Sequence, residues 1–169
     1  YKPYEDIFTR QNITFTRQPG QITLSGTLKP GRFELPGDVS SQFITGLLYA
    51  LPLLEGDSEL VLTTPLESRG YVELTLEALA QFGIVAHPTE TGWEVPGNQV
   101  GHPAEVTVEG DYSQASNYIV AASMGNPLTI TGLSTSSAQG DRIICDYARQ
   151  LDGTGTVTLA AASDAPISQ

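Results

Sequence analysis

Positive charge is what this sequence has least of: eight Lys and Arg stand against 19 Asp and Glu, for a formal net charge of −11. That balance argues against nucleic acid as a partner, because phosphate backbones are held chiefly by Lys and Arg. It also creates a tension for any small phosphate ligand, since enzymes that hold highly charged phosphates usually supply several basic side chains. Either an anion site here is weak or further basic residues lie outside this sequence. Cysteine is reduced to Cys145, which fits a reducing, cytoplasmic setting and a residue packed on a helix rather than a reactive thiol. No signal-peptide pattern and no bilayer-length apolar run is legible, so a membrane partner is not expected. The two histidines, His87 and His102, lack metal-ligand spacing and are expected on the surface near strand ends and loops.

What is present is enough for a core: 40% of the 169 residues are hydrophobic, compatible with one domain or two small ones. Residues 1–8 read as the end of a helix. Ile13–Phe15 and Ile22–Leu24 alternate on either side of Gln18-Pro19-Gly20 and read as a hairpin with a Pro-Gly turn. Residues 28–31 form a linker, 32–35 a strand, and about 39–54 a helix whose apolar face carries Phe43, Leu47, Leu48 and Leu51. A strand is expected over 59–63 and a loop over 65–70. A helix should then run to about Phe82 with Val72, Leu76 and Leu79 inward, ended by Gly83. A strand pair over 84–86 and 92–95 completes the order β-α-β-α-β-β. The order restarts with a strand at Val106 and Val108, a helix over 113–124, a strand over 128–131, a helix over 140–151 and a strand over 157–159. Residues 160–169 carry no strong pattern.

The turn that links strand to helix occurs twice. Gly37-Asp38-Val39-Ser40-Ser41-Gln42-Phe43 is echoed 73 residues later by Gly110-Asp111-Tyr112-Ser113-Gln114-Ala115-Ser116, a period suited to a unit of several strands and helices. An isolated Asp-x-Ser-Ser is ordinarily only a helix cap. The amides of a helix N-terminus nevertheless carry partial positive charge, and hydroxyls among them can complete an anion cradle without lysine.

The longer run Gly37–Leu48, followed by Ala50-Leu51-Pro52-Leu53, resembles the 5-enolpyruvylshikimate-3-phosphate synthase family. So do Ser68-Arg69-Gly70-Tyr71, Val108–Ser116 and Ser136-Ser137-Ala138-Gln139-Gly140-Asp141, in the family's order along nearly the whole chain. The resemblance implies an α/β (α+β) fold of repeated β-α-β-α-β-β units in two lobes, with the active site in the cleft between them. Residues 1–108 would belong to the first lobe, as the tail of one unit plus a complete one. Residues 109–169 would belong to the second, as one incomplete unit. The implied reaction transfers the enolpyruvyl group of phosphoenolpyruvate to the 5-hydroxyl of shikimate 3-phosphate and releases phosphate, with no metal or organic cofactor.

By the same resemblance Ser40 and Ser41 match serines that hold the 3-phosphate. Gln42 matches a glutamine that contacts shikimate 3-phosphate and reaches the phosphoenolpyruvate side. Ser68 matches a further phosphate-contacting serine, and Tyr71 a tyrosine lining that pocket. Arg69 can add charge, although a lone surface arginine is ordinarily just solvated. The family's clamping lysine and arginines, its Gly-rich loop and its catalytic acid find no match. The chain is therefore expected to be an internal piece of the synthase, without catalytic residues and inactive in isolation. Asp111 is expected to cap or turn, and Asp141 does not match the catalytic acid. Two alternatives remain at this point: a sister transferase acting on a UDP-sugar, and a non-catalytic anion-binding or interaction module. The apolar helix face with Ile143, Ile144 and Tyr147 is expected to promote self-association.

Overall fold

The computed structural model describes residues 2–125 and 128–150, and these divide between two compact units, Tyr1–Ala104 and Glu105–Gln169. The expected strand over 157–159 lies outside the described residues.

In the first unit, helix α1 (Lys2–Arg10) leads into the antiparallel hairpin of β1 (Thr14–Gln18) and β2 (Gln21–Ser25), turned at Gly20. A four-stranded sheet follows, formed by β3 (Arg32–Leu35), β4 (Ser58–Leu62), β5 (His87–Pro88) and β6 (Gly92–Val95) in the order β3-β4-β6-β5. β3 and β4 run parallel, with Phe33 opposite Leu60 and Leu35 opposite Leu62. The crossover between them is α2 (Ser41–Ala50), and α3 (Arg69–Gln81) connects β4 to the β5–β6 hairpin. The complete unit therefore has the expected β-α-β-α-β-β order.

Its core follows from two periodicities. Phe33, Leu35 and Leu60 alternate along the strands, while Ile44, Leu47, Leu48 and Leu51 recur at helical spacing, and all seven are buried in one cluster with Val72, Leu79, Trp93 and Val95. Phe43, expected inward, is only half-buried, and Ile44 takes the fully buried place. The Phe43 ring instead meets Tyr4 of α1 edge-on at 4.9 Å, and the Tyr4 hydroxyl donates to the Phe43 carbonyl at 2.9 Å. With Ile7 buried in the same cluster, α1 is docked on the complete unit, and burial pushes the Tyr4 phenol pKa upward.

The helix ends are set locally. α2 stops earlier than its apolar stripe because Pro52 has no N–H to continue the ladder; a 3-10 turn, Leu51–Leu53, is closed by Leu54 N–H on the Leu51 carbonyl at 3.1 Å. α3 ends in a Schellman pattern, with Gly83 N–H on Ala80 and Ile84 N–H on Leu79, both at 3.0 Å. Gly83 sits at φ +77°, the left-handed conformation the pattern requires. The strand expected over 84–86 begins only at His87. Val85 is instead held by the Gln99 side chain, which accepts from its N–H and donates to its carbonyl, each at 2.8 Å. A side-chain amide thus takes the place of a ladder partner.

The second unit contains α4 (Tyr112–Ser123), a 3-10 turn over Gly140–Ile143 and α5 (Ile144–Gln150). The expected strands at 106–108 and 128–131 do not form among the described residues. A strand requires a ladder, and among the described residues the backbone bond between the two stretches, Gly110 N–H to the Gly132 carbonyl at 2.7 Å, lies just past both segments. Val108 is 88% exposed and buries nothing that would fix a register. The expected helix over 140–151 is split between the 3-10 turn and α5. On the face expected to favour self-association, Ile143 is exposed while Ile144 and Tyr147 are half-buried.

Candidate functional site

Because β3 and β4 are parallel and end together at the Leu35–Leu62 pair, the segments leaving them emerge at one edge of the sheet. Each then turns into a helix, so the N-termini of α2 and α3 follow the same edge. This is the arrangement by which open α/β sheets present ligand-binding loops at the carboxyl ends of their strands.

The two exits are tied together around Gly37. Its N–H donates to the Thr64 hydroxyl at 2.9 Å, its carbonyl accepts from Glu67 N–H at 3.0 Å, and the Thr64 hydroxyl donates to Asp38 Oδ1 at 2.8 Å. A side chain at position 37 would meet the Thr64 carbonyl at 2.7 Å and the Pro65 carbonyl at 2.8 Å, so only glycine fits this approach. Just beyond the clasp on one exit stand Ser40, Ser41 and Gln42; just beyond it on the other stands Ser68.

Ser40 is the N-cap of α2. Its backbone is extended, with φ −169° and ψ 132°, and its hydroxyl accepts from Gln42 N–H at 3.2 Å. This is the capping role open to any such serine. Ser41 begins the helix and is half-buried, whereas Gln42 is exposed. Ser68 occupies the equivalent place before α3 in the left-handed region, φ 54° and ψ 39°, and its hydroxyl makes no capping bond. A non-glycine residue held there is strained by about 1–3 kcal/mol, a state concentrated at ligand clamps and switch segments. Tyr71, in the first turn of α3, is 42% exposed.

Positive charge is placed elsewhere. Arg32 bridges Glu34 at 3.2 Å and Glu59 at 2.6 Å, and Arg10 bridges Glu34 at 3.0 Å. These ion pairs raise the Arg32 pKa, and hydrogen bonds from Arg32 and Arg10 lower that of Glu34. Since Arg32 and Glu59 lie at the beginnings of β3 and β4, this network is at the opposite edge of the sheet. An open concavity of about 490 Å³ lies at that edge, lined by Arg32, Asp57, Glu59, His87 and Glu94 among others. Its acidic rim does not suit a phosphate. Arg69, next to Ser68, approaches Glu73 at 3.9 Å while remaining 72% exposed. Both histidines are exposed. Among the described residues no group of three or more His, Cys, Asp or Glu side chains is placed to hold a metal ion, and no helix is long and apolar enough to cross a membrane.

The second copy of the turn is built differently. Asp111 caps α4, accepting from Ser113 N–H at 2.8 Å and Gln114 N–H at 3.3 Å, as its capping role in the sequence implied. The Ser136–Asp141 segment supplies a brace: Gln139 accepts from Tyr112 N–H at 2.8 Å and donates to Glu109 at 2.8 Å and to the Gly110 carbonyl at 2.9 Å. Ser137 donates to Glu109 at 2.7 Å. Neither Thr64 nor Gln139 stands out in the sequence as a clasp, because each acts across more than 25 residues.

Comparison with known proteins agrees with this architecture. The model of the family described as EPSP synthase (3-phosphoshikimate 1-carboxyvinyltransferase) matches residues 12–165. A protein of Clostridium kluyveri named 3-phosphoshikimate 1-carboxyvinyltransferase is 44% identical over 144 residues, which are 83% of this chain and 34% of the relative. One of the same name from Clostridioides difficile is 44% identical over 82% of this chain and 32% of the relative. The chain thus spans about a third of the length of the curated relatives it matches. The solved structure of EPSP synthase from Acinetobacter baumannii superposes with a TM-score of 0.55 at 20% identity, covering 73% of this chain and 28% of that one, and so shares the fold. By the extent of the family match and the identity to these relatives, the chain belongs to the EPSP synthase (3-phosphoshikimate 1-carboxyvinyltransferase) family.

Proposed function

We propose that this chain carries part of the shikimate 3-phosphate site of an enzyme that transfers the enolpyruvyl group of phosphoenolpyruvate to the 5-hydroxyl of that substrate, releasing phosphate. Residues 1–108 are assigned to one lobe of such an enzyme and residues 109–169 to the other, a division close to the boundary between the two compact units at Ala104 and Glu105. The observation that carries the reading is the shared edge of β3 and β4, where the Ser40-Ser41-Gln42 helix start and the strained Ser68 flank one hydrogen-bonded clasp. Family membership and the names of the relatives favour this reading over a UDP-sugar transferase or a stand-alone interaction module.

The chemistry at this edge is that of holding. Ser40, Ser41 and Ser68 offer hydroxyl donors, the α2 terminus offers amide N–H and partial positive charge, and Gln42 offers a donor and an acceptor from one side chain. Tyr71 lines the ligand beside them, and Gln42 extends toward phosphoenolpyruvate. None of these groups is an acid or base suited to the proton transfers of the reaction. Stabilisation at the reacting centre must come from residues elsewhere in the enzyme, and losing even one such donor costs about a hundredfold or more in rate. The isolated chain is accordingly expected to show no turnover.

Net hydrogen bonds of about 0.5–1.5 kcal/mol each, offset by the cost of immobilising the ligand, imply affinity no better than roughly millimolar. The test is the phosphorus resonance of shikimate 3-phosphate titrated with the chain. Broadening that disappears in a folded Ser40→Ala/Ser41→Ala variant is expected. Equal broadening by that variant would overturn the assignment.

A further inference from the structure

The two copies of the Gly-Asp turn direct the same aspartate to different partners. In the second copy Asp111 accepts from the amides two and three residues on, Ser113 and Gln114. The corresponding amides in the first copy belong to Ser40 and Ser41, the residues assigned to the phosphate. There the Asp38 carboxylate is bonded instead to the Thr64 hydroxyl at 2.8 Å, and Thr64 is itself fixed by accepting from Gly37 N–H at 2.9 Å. Ser40 takes over as the cap.

The consequence is electrostatic. A carboxylate seated on the first amides of a helix satisfies the donors a phosphate needs and places a negative charge where the dianion would sit. We propose that Thr64 is a positioning residue that holds the Asp38 carboxylate away from the amides of Ser40 and Ser41 and so keeps the start of α2 open to the substrate phosphate. The inference rests on the reading of that site given above. Thr64 does not touch the ligand; it acts by occupying Asp38. Removing its hydroxyl frees Asp38 to turn onto those amides, the same two and three residues on as for Asp111 but ahead of the Ser40 cap rather than in its place.

The 169-residue chain serves for the test, with Thr64→Val, Thr64→Ser, Asp38→Ala and Thr64→Val/Asp38→Ala compared. Thr64→Val should move the Ser40 and Ser41 amide proton resonances downfield, as for amides bonded to carboxylate, and weaken shikimate 3-phosphate binding by about three- to tenfold. Thr64→Ser keeps both hydrogen bonds and should bind within about twofold of the parent. The decisive variant is the double one. With neither charge nor acceptor left at position 38, it should recover most of the lost affinity and lose the downfield shift, whereas a Thr64 that merely supports the loop would leave it as weak as Thr64→Val or weaker. Absence of the shift in Thr64→Val, or failure of Asp38→Ala to rescue it, overturns the proposal. If the shift appears and reverts as described but the parent chain does not bind shikimate 3-phosphate, Thr64's control of Asp38 stands and the ligand assignment falls.

Discussion

The first Gly-Asp turn grows out of a sheet, and the second grows out of a brace of side chains. In unit 1, Gly37 follows a strand whose Phe33 and Leu35 are fully buried, and a neighbouring strand delivers Thr64 to it. In unit 2, Glu109, Ser137 and Gln139 hold the turn by hydrogen bonds, with Tyr112 and Ala115 as its buried apolar anchors. Similar sequence therefore gives a helix start relieved of its aspartate in one place and capped by it in the other. Local sequence chooses a turn, and the partners delivered by the surrounding fold decide what that turn presents.

The comparison breaks most sharply at the cores. Leu48→Ala removes a fully buried side chain from unit 1 and should cost about 2–5 kcal/mol. Denaturant unfolding followed through Trp93, buried in that core, should register the loss, while α4 amides keep their native shifts. Gln139→Ala is the counterpart in unit 2. It removes three hydrogen bonds around the second turn and leaves donors and acceptors unpaired, at about 1–3 kcal/mol. Faster amide exchange at Tyr112, with unit 1 unchanged, is the expected signature.

The caps sharpen the contrast. Asp111→Ala should destabilise α4 by about 1 kcal/mol, and Asp38→Ala should affect α2 less because Ser40 already caps it. Hydrogen exchange in the first turns of the two helices measures both. The smallest effect concerns the opposite edge of the sheet. The Glu34 pKa is lowered in the folded chain, first by its hydrogen bond from Arg32. Its contribution to stability is therefore present above the ordinary carboxylate value of about 4.3 and lost as pH falls through the lowered folded value. The pair is exposed and screened, so Glu34→Gln should flatten the acid limb of a stability–pH curve only slightly, and less still at high salt.

How much of this was legible follows from range. The Pro-Gly hairpin, the Gly83 stop and the Leu47, Leu48 and Leu51 part of the α2 stripe depend on neighbours in sequence and form where periodicity and turn chemistry place them, whereas Phe43 is drawn out of the stripe by Tyr4. The β5 strand starts late because Gln99, fourteen residues on, satisfies Val85; alternation alone cannot anticipate such a partner. The second-copy valines alternate just as well but join no ladder among the described residues. At the candidate site, Ser40, Ser41, Gln42, Ser68 and Tyr71 are named through the family pattern and await the ligand test, while the capping of Asp111 was legible through its residue type. The left-handed Ser68 and the diversion of Asp38 by Thr64 were not, because both are set by the parallel neighbour strand and its exit loop.

The central claim is that the first turn, and not its echo, meets the phosphate. The most direct measurement is an amide chemical-shift titration of the whole chain with shikimate 3-phosphate. Saturable shifts confined to residues 40–42 and 68–71, with 111–114 unmoved, are the predicted result; shifts centred on Asp111 or Asp141 would contradict it.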